Sequence, residues 1–213
     1  MQLALPLLLC SLLGAQQAGP ADEELERERR EKVAEVIQAL ELKEGQAVAD
    51  VGAGSGLYAI RLARVVDKAG RVYAEDIHEG TLKRLRERIA KEKLDNVTAI
   101  LGEPDDPKLP GAALDAVLIV NAYHEMEKPK EMLQRVFAAL KPAGRLVMVD
   151  LMPGKTRQRP RAEQVDNHRL APELAEAELR QAGFEIVSRK DDFVDWPDQE
   201  IGRWMIICRR PPF

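Results

Sequence analysis

The stretch "VADVGAGSGLYAIRLA", residues 48–63, has the plainest chemical signature in this 213-residue chain. A strand-like apolar run reaches Asp50, then passes through Gly52, Gly54 and Gly56 into a helix-like run. Closely spaced glycines between a strand and a helix let backbone N–H groups approach a ligand at a helix N-terminus. The phosphate-binding pattern G-x-G-x-x-G is not met: its sixth position is Leu57, and Gly56 falls one residue early. Asp50 would also set a like charge against a pyrophosphate in a partly dry site, costing on the order of several kcal/mol. A cationic ligand makes sense of that carboxylate.

Further chemistry-bearing residues lie later in the chain. "VNAYHEM", residues 120–126, carries Asn121, Tyr123, His124 and Glu125, and "DNHRLAPE" carries His168. His78 sits in a helix-entry turn and reads as structural. The spacing of His124, Asp150, Asp166 and His168 matches no local ligand motif, so no metal is expected. Cys10 and Cys208 form neither a disulfide framework nor a zinc spacing. Lys155, Arg157, Arg159, Arg161 and Arg169 cluster in an otherwise acidic chain. They read either as a solvated basic loop or as a flap for an anionic acceptor, with the solvated loop favoured.

These residues need a scaffold that brings strand ends together. Residues 23–41 read as one amphipathic helix. The alternation that follows predicts strands 47–51, 71–77, 97–101, 114–122 and 145–150, with helices 57–66, 79–92 and 129–140 between them. "KPAG", residues 141–144, supplies a turn, with Gly144 suited to a positive φ. A helix from Pro172 to Gly183 then leads to strand 184–189 and a last strand near 204–208, joined as a hairpin. The expected fold is α/β, a Rossmann-like doubly wound seven-stranded sheet, mostly parallel with an antiparallel last strand. In such sheets ligands sit beyond the carboxyl ends of the strands.

Composition bounds the function. With 45% hydrophobic and 32% charged residues the chain can bury one sizeable core. A net charge of -4 gives no footprint for nucleic acid. "MQLALPLLLCSLLGAQQAGP" has no charged side chain, and a charged run follows it. It reads as a signal peptide over residues 1–18, which predicts export and confines membrane contact to this segment. A hydrophobic anchoring helix, or a cytoplasmic protein, is the alternative. Residues 22–213 then form a single domain: an N-terminal helix to 45, a ligand-binding half from 46 to 150, and an acceptor-side loop, helix and hairpin from 151 to 213.

On Asp50 and the G-x-G-x-G turn, the chain resembles the class I S-adenosylmethionine-dependent methyltransferases. It looks most like the small-molecule enzymes of ubiquinone and menaquinone biosynthesis. "LKPAGRLVMVD" is similar to that family's "LKPGG" turn, with Ala143 replacing a glycine. The resemblance implies S-adenosyl-L-methionine as cofactor, with Asp50 on its ammonium and the backbone of Gly52, Ala53, Gly54 and Gly56 close by. It implies Asp76 on the ribose hydroxyls, with Ile77 adjacent, while Glu75 points to the other face of its strand. Asp105 and Asp106, with Glu103 behind them, are candidates for the adenine amino group, and Asn121 for the strand tip. Methyl transfer to a small-molecule acceptor proceeds by in-line displacement, with much of its acceleration from alignment. His124 is the first choice for an acceptor contact or general base, with His168 and Tyr123 nearby. A non-catalytic exported protein that keeps the fold is the alternative, and an NAD-dependent oxidoreductase a weaker one.

Overall fold

A computed structural model describes residues 19–196 and 201–213, so the expected signal, residues 1–18, lies outside the described residues. Seven strands form one sheet: β1 Ala47–Val51, β2 Arg71–Asp76, β3 Val97–Leu101, β4 Leu114–Val120, β5 Leu140–Leu151, β6 Glu185–Trp196 and β7 Ile201–Arg209. Their order is β3-β2-β1-β4-β5-β7-β6. The first five run parallel, and β7 is antiparallel to both β5 and β6. The doubly wound sheet expected from the strand and helix alternation is therefore present.

Alternating side chains divide the core into two layers. On one face Val48, Val72, Leu118 and Val147 pack against α3 (Leu57–Val65), α4 (Glu79–Glu92) and α2 (Val33–Ala39). On the other face Val51, Val117, Ile119 and Met148 meet α5 (Pro129–Ala139), the short α6 (Arg161–Val165) and α7 (Pro172–Gln181). Burying each of these aliphatic side chains stabilises the fold by roughly 1.5–3 kcal/mol. Sequence order reverses between β1 and β4, which places a crevice at their carboxyl ends.

Three local expectations are corrected. The N-terminal helix is two helices, α1 (Pro20–Arg30) and α2, because Lys32 adopts φ 52. Its ammonium donates to the Phe193 carbonyl at 2.8 Å, which ties the break to β6. In the "KPAG" turn the positive φ falls on Ala143, not Gly144. Gly144 is needed for close approach instead, since a Cβ there would lie 2.8 Å from the Lys141 carbonyl oxygen. Finally, β6 continues to Trp196, so residues 190–196, expected as connection, belong to the hairpin. Among the described residues no helix is long and apolar enough to cross a membrane.

Candidate active site

The glycine turn joins β1 to α3 at the crevice. A Cβ on Gly52 (φ 73) would lie 2.4 Å from the Ala122 Cβ, so this glycine lets two strand-end loops touch. Gly54 (φ 56) has no heavy atom within 4 Å of a built Cβ, which leaves its face open. Its N–H donates to Asp76 Oδ2 at 3.1 Å. The Ala53 N–H donates to the Glu75 carbonyl, holding the turn against β2. Gly56 serves packing, since a Cβ there would meet Leu85 of α4 at 2.4 Å.

Three acids converge on this turn. Asp50 is buried and its Oδ2 has no partner. Burial pushes its carboxyl up to about 7, the Ala59 backbone opposing and the Asp76 charge adding to the rise. Glu75 does not point away from the site as strand alternation predicted. Its Oε2 accepts from the Gly52 N–H at 3.3 Å and its Oε1 is unpartnered. Alternation fails as a guide here because the crevice lies beyond the strand end, within reach of both faces. Gly102 makes the room, since a Cβ there would sit on Glu75 Oε1. Burial raises Glu75 to about 8. Asp76 also accepts from the His78 N–H at 2.8 Å.

Beside Asp50 lies a buried polar cluster that motif reading missed. The Tyr58 hydroxyl and the Arg203 Nε and Nη1 atoms are buried without hydrogen-bond partners. Arg203 Nη1 is 3.2 Å from Glu31 Oε2, in an ion pair whose angle makes no hydrogen bond. Burial chiefly holds the Tyr58 hydroxyl above its ordinary range, and Glu31, Arg203 and Asp50 all act on it. A clue was available: Arg203 opens "RWMIIC", an arginine at the start of an otherwise apolar strand.

The crevice itself encloses about 330 Å³. Gly52, Gly54, Glu75, Asp76, Ile77 and His78 line one side, and Pro104, Asn121, Ala122, Glu125 and Met126 the other. The structure therefore brings Gly52, Gly54, Asp76, Ile77 and Asn121 together, with Asp50 buried behind them. Asp105 and Asp106 are placed elsewhere, in a separate depression with Glu103 and Arg135. Asp105 pairs with Lys128 at 2.7 Å, and Asp106 accepts from the Lys108 N–H. A larger hollow of about 550 Å³ lies between α4 and the start of β3, at the sheet's opposite end from the acids and glycines.

The other side of the crevice is built around His124. Its Nδ1 is 2.7 Å from Asp150 Oδ1, and its backbone N–H donates to Asp150 Oδ2. Burial favours the neutral ring, but the Asp150 hydrogen bond and charge outweigh it and hold His124 above the ordinary histidine range. His124 Nε2 faces Glu125 Oε1 at 3.6 Å, and His168 Nδ1 approaches the same oxygen at 3.7 Å. The two rings meet edge to face, 6.0 Å apart. Tyr123 is turned into the core instead, its hydroxyl donating to Glu178 at 2.6 Å and its ring under Arg161.

The basic segment is not a free flap. Arg157 pairs with Glu173 and Asp191, and Arg161 with Glu178. The buried Gln164 side chain donates to the Arg157 and Arg159 carbonyls and accepts from the Ala171 N–H. Trp204 Nε1 donates to the Leu170 carbonyl at 2.6 Å. The loop carrying His168 is thus pinned from both sides.

The sheet is that of solved SAM dependent methyltransferases, with the crevice where the strand order reverses. Residues 48–144 match the family model of a methyltransferase domain, and the relatives and solved structures that the chain resembles support a class I S-adenosylmethionine-dependent methyltransferase. It is 32% identical over 104 residues to a protein-L-isoaspartate O-methyltransferase of Ignicoccus hospitalis, covering 49% of this chain and 48% of that one. It is 24% identical over 143 residues to the ubiquinone/menaquinone biosynthesis C-methyltransferase of Erwinia tasmaniensis, covering 67% and 57%. A solved SAM dependent methyltransferase from Aquifex aeolicus superposes with TM-score 0.71 at 23% identity, covering 91% of this chain and 99% of that one. The chain spans about half the length of the curated relatives it matches.

Proposed function

We propose that this protein binds S-adenosyl-L-methionine and transfers its methyl group to a small molecule held against the His124 side of the crevice. The observation that carries the reading is Asp50: a buried carboxyl with an unpartnered oxygen at the open glycine turn. Such a group is costly to leave unmatched, and an ammonium matches it. The Tyr58 hydroxyl, without a hydrogen-bond partner, and Arg203, held by Glu31 in an ion pair that makes no hydrogen bond, suit the carboxylate of the same methionyl group. Asp76 and Glu75 offer acceptor oxygens for ribose hydroxyls, and the exposed Ile77 side chain offers an apolar wall. Three acids at one crevice favour a cationic ligand over the pyrophosphate of NAD.

S-adenosylmethionine supplies an electrophilic methyl carbon: the acceptor's lone pair forms the new bond, and the electron pair of the broken C–S bond stays on sulfur. The protein's own contribution is alignment. Asp50 anchors one end, the Gly54 face admits the ligand, and the wall of Asn121, Glu125 and Met126 receives the acceptor. Asp150 fixes the His124 ring so that Nε2 alone is left for the acceptor side. The acceptor's identity, and export through the N-terminal segment, belong to this proposal as expectations. N-terminal sequencing of protein recovered from cell fractions checks export.

Calorimetry of the full chain tests the central assignment. S-adenosylmethionine and S-adenosylhomocysteine should bind and NAD should not. Asp50→Asn should weaken both by roughly 10- to 150-fold, the equivalent of about 1.5–3 kcal/mol for a hydrogen bond to a charged group. Unchanged affinity in that variant overturns the assignment.

A further inference from the structure

His124, Glu125 and His168 bring two imidazole nitrogens and a carboxylate oxygen within 4.8 Å of one another. These atoms come from the turn after β4 and from the loop before α7, so local spacing in the sequence does not reveal the convergence. We propose that His124 Nε2, a Glu125 carboxylate oxygen and His168 Nδ1 form a divalent transition-metal site of the zinc type on the acceptor wall of the crevice.

Four observations support it. A tetrahedral ion with arms of about 2.0–2.2 Å sets its ligands about 3.3–3.5 Å apart. The two distances to Glu125 Oε1, 3.6 and 3.7 Å, are within a few tenths of an ångström of that. Second, His124 is oriented as metal-binding histidines are, its other nitrogen held by a carboxylate, here Asp150 at 2.7 Å. Asp150 is itself fully buried and fixed by the His124 and Leu151 N–H groups. Third, His168 (φ 53) is the left-handed residue that closes the helix Arg161–Val165, where its N–H and that of Arg169 donate back to the Val165 and Gln164 carbonyls, so its ring stands on a capped turn. Fourth, the loop is held in place by Gln164 and by the Trp204 to Leu170 bond. Asp166 is not part of the cluster, and Asp150 is its outer support rather than a ligand.

Three protein ligands leave a fourth position open, and Glu125 places it on the crevice wall. That position suits the acceptor's nucleophilic oxygen, nitrogen or sulfur. On binding, the atom gives its proton to solvent and keeps its lone pair for the methyl carbon. His124 then acts through the metal rather than as a base. This acceptor role rests on the methyltransferase reading, whereas metal binding does not.

The test uses the full chain, stripped with a chelator and titrated with Co²⁺, then with Zn²⁺ against a chromogenic chelator. One equivalent of Co²⁺ should develop the visible bands of a tetrahedral ion, and Zn²⁺ should bleach them. Asp150→Asn should weaken Zn²⁺ by roughly 10–100-fold, and His168→Ala or Glu125→Gln by more. His168→Ala should leave S-adenosylhomocysteine affinity unchanged. No metal uptake by the unaltered chain, or equal uptake by the ligand variants, overturns the site. Failure of the methyltransferase reading shows separately, as loss of S-adenosylhomocysteine binding by the stripped protein.

Discussion

The two walls of the crevice differ in how completely they satisfy themselves. Around the glycine turn, Asp50, Glu75 and Tyr58 bury polar atoms without hydrogen-bond partners, as does Arg203 of β7. At the β4 and β5 side, Asp150 accepts three hydrogen bonds, Tyr123 has Glu178, and Gln164 closes its loop. An unsatisfied buried group costs on the order of 1–3 kcal/mol, so the first wall is stable only as part of a fold that gains elsewhere, and a ligand completes it. The second wall, where Arg161 Nη2 is the one such atom among the described residues, is nearly complete before any ligand arrives and presents prepositioned groups outward. Complementarity to a tightly held ligand and preorganisation for a passing one are thus separated in space.

Replacing Asp150 by alanine should expose this difference most strongly. It would strand the His124 and Leu151 N–H groups in the core and lower stability by about 3–5 kcal/mol in urea unfolding. Affinity for S-adenosylhomocysteine in the surviving folded protein should hold. A collapse of that affinity would mean the walls are one unit.

Proton uptake sharpens the comparison next. Asp50 at about 7 and Glu75 at about 8 lie well above ordinary carboxylates. The folded chain therefore holds protons that the unfolded chain has released. Their contribution to stability falls as pH rises from about 4 to 8, and the melting temperature without ligand should fall with it. A cationic ligand needs Asp50 ionised, so its affinity should drop about fivefold between pH 7 and 6. Asp50→Asn should flatten both profiles. A binding curve that rises on acidification would contradict the ammonium assignment.

The smallest effect is expected at Tyr123. Removing its hydroxyl in Tyr123→Phe should cost about 1 kcal/mol of stability through the lost Glu178 bond. Turnover and cofactor affinity should not change. A fall in turnover without a fall in stability would return Tyr123 to the active site.

What the sequence disclosed follows the range of the interaction. The sheet was legible because helical and alternating periodicities are local, as α4 shows by spanning residues 79–92 as expected. The meeting of Asp50, Asp76 and the glycines was legible because they lie within one continuous unit of β1, turn, α3 and β2. The break at Lys32 was not, since its cause is the Phe193 carbonyl, 161 residues away. Glu75 was misplaced because its room comes from Gly102, just after β3. Arg203 and the meeting of Glu125 with His168 depend on packing between distant segments. Asp105 and Asp106 drew attention by type, yet Lys128 and Lys108 hold them outside the crevice.

The divided N-terminal helix has a kinetic consequence. Glu31, just after α1, lies against Arg203 and acts on Tyr58, while α1 is fastened by Glu24 and Glu28 to Arg61 and by Glu24 to Arg88. A methionyl group seated on Asp50 would be shut in beneath a latch made of partly exposed ion pairs. Salt screens such pairs, so raising ionic strength should shorten the ligand's residence time more than it slows its arrival, as stopped-flow measurements can show.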